Sequence, residues 1–559
     1  MSGLSSLTKP SVSVSTLGVP RIGPRRELKT ALEKFWSGKI TEASLLETAA
    51  GLRVANWARQ RALGVTNIPS NDFSLYDHVL DTSVMVGAVP AIYGWSGGSV
   101  SLATYFAMAR GSQGQVGDRD GCGHGSHGHG VPAQEMTKWF DTNYHYMVPE
   151  FTKDQALAST KAIDEYREAK SLGYQTHPVL VGPVTFLKLG KCSDPSFDRL
   201  SLLPKLLPVY AEVLSRLASE GADWVQIDEP CLALDLDVAA KTALTTAYTE
   251  FARRVPGIRI MLATYFGDLG DNADLAVSLP VAGLHIDLVR GPGLIASVAA
   301  RAPDDLVLSL GVIDGRNVWR ADLSQVLDSL DGIVATRPLD RLELAPSCSM
   351  LHVPIDLDQE EELDPDLKNW LAFSVQKTEE LATLSKALLL GRGAVKDALA
   401  ASDKAAAQRR SSPKIHDPSV QLRTLNVSAD VARRRSPFAV RRKLQVDVLG
   451  LPAFPTTTIG SFPQTEDVRK ARAAHAKGQL NDAEYEFFCA GKPSRRCAGR
   501  KRSGSTCWFT ASSSAITWCS ISASNCPAMP SPSVAGFRAM AHAMSARRSF
   551  LATCPAPSR

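Results

Sequence analysis

The chain has 559 residues, 44% of them hydrophobic and 21% charged. That balance excludes a wholly disordered or collagen-like chain and leaves material for more than one buried core. The net charge of +5 is uneven: residues 489–559 hold ten Lys or Arg and no Asp or Glu, so residues 1–488 carry 52 basic and 57 acidic groups, a net of −5. The body is mildly acidic and only the tail is basic, so the overall charge says nothing about nucleic acid, and no nucleic-acid partner is expected.

In chain order, residues 1–16 read as a flexible leader. They lack the basic start and apolar stretch of a secretory signal, and no apolar run in the chain is long enough to span a bilayer. A cytoplasmic location with no membrane partner is expected. From residue 17 to about 360, short apolar runs alternate with amphipathic ones. The expected strands are 177–186, 224–227, 259–265, 283–289, 306–312 and Leu342–Pro346. Between two of them, Leu203, Leu206, Leu207, Tyr210, Val213, Leu214 and Leu217 recur at helical spacing. Strand–helix–strand succession argues for a parallel sheet. Several strands end in polar or reactive residues: Asp228-Glu229, Thr264-Tyr265, His285 and Asp287, Ser347-Cys348. That pattern, without a GxGxxG turn, favours a closed (β/α)8 barrel of the TIM type over an open sheet.

Residues 361–450 read as a helical linker. Its helices are expected over 367–390 and 394–410, followed by two solvated charge runs at 433–435 and 441–443. Residues 451–464 (LPAFPTTTIGSFPQ) read as the opening strand of a second domain, with a helix from about Thr465. At Cys489 the pattern stops. At the body's acidic frequency, a stretch this long without Asp or Glu arises roughly once in several thousand cases. Fourteen of its residues are Ser.

Four cysteines lie in the body (Cys122, Cys192, Cys231, Cys348) and six in the tail, with no CxxC pair among the six. The body's usage suits a reducing compartment. Asp228 and Glu229 could serve as acid and base, but strand alternation points them to opposite faces, so a structural role is expected. His285 and Cys348 are expected to be packed polar residues. Residues 121–130 (GCGHGSHGHG) offer Cys122, His124, His127 and His129 to a soft metal. The glycines make ordering that stretch costly, so adventitious binding of zinc or nickel is expected.

Residues 17–36 (LGVPRIGPRRELKTALEKFW), 76–83 (YDHVLDTS), 135–151 (EMTKWFDTNYHYMVPEF), 314–323 (DGRNVWRADL) and 456–465 (TTTIGSFPQT) together resemble one family. It is the cobalamin-independent methionine synthases, 5-methyltetrahydropteroyltriglutamate–homocysteine methyltransferases. The resemblance spans about 17–488. It implies two (β/α)8 barrels joined by a helical linker, the second incomplete here beyond 451–488. It implies transfer of a methyl group from folate N5 to homocysteine sulfur by a monomer, without cobalamin. Zinc would hold the sulfur as thiolate, its ligands lying in the second barrel and absent from this chain, so no catalytic or metal residue is assigned. By resemblance, Arg26, Glu27, Leu28, Lys29 and Lys138 contact the folate, and Ile459, Gly460 and Ser461 hold homocysteine. The family's second barrel carries a stretch like GLDVLVHGE. Plausible codons for Ser505–Ser512, shifted by one base, read D-V-L-V-H-G-E. A frameshift near residue 488 is therefore expected, leaving 489–559 as an out-of-frame, disordered tail and the chain inactive. The alternative is a non-catalytic folate-binding barrel; a porphyrin-precursor decarboxylase fits the fold but not the motifs.

Overall fold

The computed structural model describes residues 12–112, 130–151, 155–192, 194, 196–450, 452–454 and 465–489. Clustering of contacts divides the chain into two units, Met1–Arg409 and Arg410–Arg559.

The first unit is built on ten strands: β1 (Ser13–Val14), β2 (Ile68–Ser70), β3 (Met136–Lys138), β4 (His145–Met147), β5 (Thr176–Val181), β6 (Trp224–Asp228), β7 (Arg259–Ala263), β8 (Gly283–Asp287), β9 (Val307–Ile313) and β10 (Leu342–Pro346). Eight form one parallel sheet in the order β1-β10-β9-β8-β7-β6-β5-β2. A parallel bridge from Ser15 to Asn67 joins its two ends. Thr66 N and Asn67 N both donate to Val14 O at 3.0 Å, and Val14 N donates to Thr66 Oγ1 at 2.8 Å. The sheet is thus a closed barrel with no free edge. β3 and β4 form an antiparallel hairpin, inserted between β2 and β5.

Helices cover the outside: α1 (Glu27–Trp36), α2 (Glu42–Ala62), α3 (His78–Met85), α4 (Leu102–Arg110), α5 (Lys161–Ser171), α6 (Pro183–Leu189), α7 (Leu203–Ser219), α8 (Val238–Arg254), α9 (Ala273–Ser278), α10 (Leu294–Ala299), α11 (Leu323–Thr336), α12 (Pro365–Trp370) and α13 (Ser374–Leu390). The apolar stripe of α7 forms as its spacing predicts, with all seven residues buried. The strands are buried on both faces, as helix-covered parallel strands must be.

Three expectations are corrected. The leader is a barrel strand from Val12: Val12 and Val14 are 3% and 2% exposed, and Ser15 N donates to Leu344 O at 2.9 Å. A two-residue strand is too short to show alternation in sequence. The strand expected over 177–186 ends at Val181, because Pro183 starts α6 with its fixed φ and missing N–H. The linker expected from 361 yields α13 to the barrel. α13 packs on β10 and β1, and its Leu381 and Leu384 are fully buried in the barrel's core.

Glu229 shows how strand ends are fixed. Its carboxylate accepts from Val184 N at 3.1 Å and Thr185 N at 2.7 Å, the first amides of α6. A Cβ at Gly182 would sit 2.1 Å from the Glu229 carboxyl carbon, so glycine is required there. Asp228 points elsewhere, accepting from Gln226 Nε2 at 2.7 Å and Tyr265 Oη at 2.9 Å. The two carboxyls do face apart, and Glu229 is structural.

The second unit contains α15 (Pro418–Leu425), α16 (Phe438–Leu449) and α17 (Glu466–Ala476), and α14 (Lys396–Ser411) runs across the boundary. Arg433–435 and Arg442-Lys443 are exposed. No helix among the described residues is long and apolar enough to cross a membrane.

Two outcomes test this account. A chain starting at Leu17 loses two buried valines, each worth about 1.5–3 kcal/mol, and the barrel closure. Its urea midpoint should collapse, whereas a mere leader would leave it unchanged. Burial pushes the Glu229 carboxyl up to about 7, against about 4.3 unfolded. Between these values the folded state holds the extra proton, so this group's contribution to stability falls as pH rises and levels off above about 7. Glu229→Gln cannot ionise. Its stability relative to the parent should therefore improve from pH 5 to pH 8; a pH-independent difference contradicts the assignment.

Candidate functional site at the barrel mouth

The C-terminal ends of the strands open on a small cavity of about 70 Å³, the end at which barrel enzymes place their sites. The loops after β1 and β2 are tied there first. Leu17 and Asn71 take left-handed conformations, with φ of 53° and 60°. Asn71 Nδ2 donates to Val179 O at 2.7 Å, and Val19 N to Asp72 Oδ2 at 2.9 Å.

Asp77 organises the next wall. It caps α3 through Leu80 N at 2.9 Å and accepts from Met147 N at 3.1 Å and Tyr144 Oη at 2.8 Å. One carboxyl thereby joins a helix start to the β3–β4 hairpin. Burial lifts it to about 6 despite these donors. Tyr144 accepts in turn from Arg21 Nη1 at 3.2 Å, and Arg21 also donates to Tyr76 O. The hairpin is held at its tip as well: Arg316 donates to Asp141 Oδ1 at 2.7 Å and to its backbone O at 3.0 Å. Trp139, on this arm, lines the cavity.

Lys161 stands on α5 at the opposite wall. Its ammonium donates to Asn71 Oδ1 at 2.7 Å and Phe73 O at 2.6 Å, and lies 3.2 Å from Glu165 and 3.4 Å from Asp81. His78 and His352 also line the cavity and sit against Tyr144, at ring separations of 5.4 and 6.2 Å. Burial presses both imidazoles down to about 3, so both are neutral near pH 7. Burial raises Asp72 and Asp228 to about 7.

The residues expected to contact folate lie outside this lining. Arg26 caps α1 in a left-handed conformation, φ 64°. Glu27 Oε2 accepts from Arg25 N at 3.0 Å. Leu28 is 1% exposed, so its side chain belongs to the core rather than to a ligand. Lys29 is exposed and 3.5 Å from Glu33. Lys138 is exposed at the end of β3, paired in register with His145. No hydrogen bond or ion pair among the described residues joins Lys138 to the other four. Ile459, Gly460 and Ser461 lie outside the described residues, as do Cys122, His124, His127, His129 and the tail from residue 490.

Zinc finds no fit among the described residues, where no group of three His, Cys, Asp or Glu could hold a metal. His285 is buried, with Nδ1 3.0 Å from Ser309 Oγ and Nε2 3.4 Å from Ser347 O. Cys348 is fully buried, and burial pushes its thiol well up. Both are packed polar residues. Sequence reading missed Arg21, Asp77, His78, Tyr144 and Lys161. Two of the quoted motifs contain Asp77, His78 and Tyr144, but the contacts that give them a role join positions 67 residues apart.

The family described as cobalamin-independent synthase, N-terminal domain, matches residues 13–337, and its catalytic domain matches 454–498. The 5-methyltetrahydropteroyltriglutamate–homocysteine methyltransferase of Nitrobacter winogradskyi is 66% identical over 481 residues, covering 85% of this chain and 62% of that protein. Its namesake from Rhodopseudomonas palustris (strain ATCC BAA-98 / CGA009) is 62% identical over 501 residues, covering 88% and 64%. The chain thus spans less than two thirds of these relatives. A B12-independent methionine synthase structure from Shewanella sp. W3-18-1 covers 70% of this chain and 99% of its own, with 12% identity and a TM-score of 0.43. With more than half of its length matched by the N-terminal domain, the chain belongs to the cobalamin-independent synthase family.

Proposed function

We propose that this chain carries the folate-binding half of an enzyme that transfers the N5-methyl group of 5-methyltetrahydropteroyltri-L-glutamate to L-homocysteine, giving L-methionine. The observation that carries the reading is the family match over residues 13–337, together with the names of relatives at 62–66% identity. The folate's glutamate tail is a string of carboxylates, which basic groups recognise by charge-assisted hydrogen bonds. Lys29 and Lys138 are exposed and Arg26 is half-exposed, so all three can meet such a tail from solvent. Leu28 would contribute backbone only. The cytoplasm and a monomeric state go with this reading.

The transfer needs a thiolate and a protonated leaving nitrogen. In the family, zinc supplies the first. The described residues do not fit that ion.

The chain itself is proposed not to complete the transfer. Support comes from composition: no acidic residue follows Glu486 in a basic, Ser-rich stretch; and plausible codons for Ser505–Ser512, shifted by one base, read like a stretch of the family's second barrel.

Methionine formation by the purified chain, supplied with zinc, homocysteine and methyl-folate triglutamate, should not exceed the enzyme-free rate; measurable turnover overturns the inactivity. Calorimetric titration with the triglutamate should give binding about threefold weaker in Lys138→Ala, the scale of one exposed ionic contact. Superimposable curves remove Lys138 from the folate site.

A further inference from the structure

We propose that the mouth of the first barrel is a second binding site, separate from the folate-contact residues, for a small organic cation bearing an ammonium or amidinium group. The space is small, about 70 Å³; where one water takes about 10–15 Å³, it holds about five to seven water-sized groups, the length of a short diamine. The charges of its walls are unevenly committed. Lys161 has three protons, and three acceptors at 2.6–3.2 Å take them. Arg21 is held by Tyr144 and the Tyr76 carbonyl. Lys161 has no proton left for an anion; Arg21, held by neutral acceptors, keeps further N–H groups, so the anionic arm of the test below is the one it would support.

The carboxyls differ. Asp72 and Asp228 stand at the ends of β2 and β6, and no ion pair among the described residues joins either to a base. Each is oriented instead by neutral donors: Val19 N for Asp72, Gln226 Nε2 and Tyr265 Oη for Asp228. A carboxylate has about four lone-pair sites, so both retain capacity toward the cavity. Trp139 and Tyr265 line the same space and offer aromatic faces of the kind that attract organic cations. His78 and His352, neutral there, add no competing charge. A metal is the poorer occupant, because no third ligand among the described residues completes a shell.

The cation would lower the proton affinity of both carboxyls, which burial holds near 7. The groups facing Asp72 are Lys161 and Glu165 from α5; Glu229 and the Tyr265 hydroxyl face Asp228. Arg21, His78, Asp81 and His352 complete the titratable lining. Of these, Asp72, Asp228 and Glu229 change charge between pH 6 and 8; Glu229 is tied to the first amides of α6 and does not line the cavity.

The test is calorimetric titration of the full chain with 1,4-diaminobutane, with 1,4-butanediol as the neutral isostere and succinate as the anionic one. Binding of the diamine alone is expected, strengthening about tenfold or more from pH 6 to pH 8 as the carboxyls ionise. Asp228→Asn and Asp72→Asn, made separately on different strands and checked by thermal melts, should each weaken it about tenfold and flatten the pH profile. Quenching of tryptophan fluorescence by the diamine, lost in Trp139→Phe, gives a readout independent of the two carboxyl variants. Equal binding of the diol, no binding of the diamine, or a pH-flat isotherm overturns the proposal. So does displacement of the diamine by methyl-folate triglutamate, which would assign the cavity to the folate.

Discussion

A parallel sheet has two edges whose amides must find partners, and here a very short segment supplies them. Val14, Thr66 and Asn67 make the hydrogen bonds that turn eight strands into a barrel. Closure brings the loops after β1 and β2 side by side, which lets Val19 N reach Asp72 and puts Arg21 beside the Tyr76 carbonyl. The mouth exists because the barrel closes. An open sheet with the same strands would place those loops at opposite ends.

Closure also forces polar groups inside, and several of them are satisfied in pairs. His177 Nε2 lies 3.2 Å from Gln226 Oε1, Thr176 Oγ1 donates to Ser70 Oγ at 2.9 Å, and Glu343 accepts from Asn67. Unpaired, each would cost about 1–3 kcal/mol. The charged groups at the mouth follow the same rule with one asymmetry. Lys161 is paired with Asp81 and Glu165 and Arg21 is held by neutral acceptors, whereas Asp72 and Asp228 are oriented by neutral donors and keep their protons to near neutrality. Low dielectric thus stores a preference for a cation where none is built in.

What could be read from sequence follows the length scale of the signal. Long amphipathic runs such as α7 and apolar strands such as β6 to β10 announce themselves by period and by their polar ends. β1 and β2, with two and three residues, carry no period at all, so the segment of β1 reads as a leader and β2 goes unseen. The single helix expected over 367–390 is interrupted: α12 ends at Trp370 and α13 begins at Ser374. For the site, the motif containing Arg26 to Lys29 was legible as a resemblance, but Asp77 and Lys161 draw their roles from partners distant in sequence. No local pattern encodes a hydrogen bond between Asp77 and Tyr144.

The two units also differ in how they bury apolar surface. The first closes its barrel and covers β10 with α13, all within residues 12–390. Among the described residues, its core runs from Val12 through Leu399. The described part of the second unit buries little: Val468 and Ala471 are its buried apolar residues, while Leu425, Val448 and Phe454 are 83%, 83% and 92% exposed. Exposed large apolar side chains in sequence neighbours mark a surface that gains by being covered.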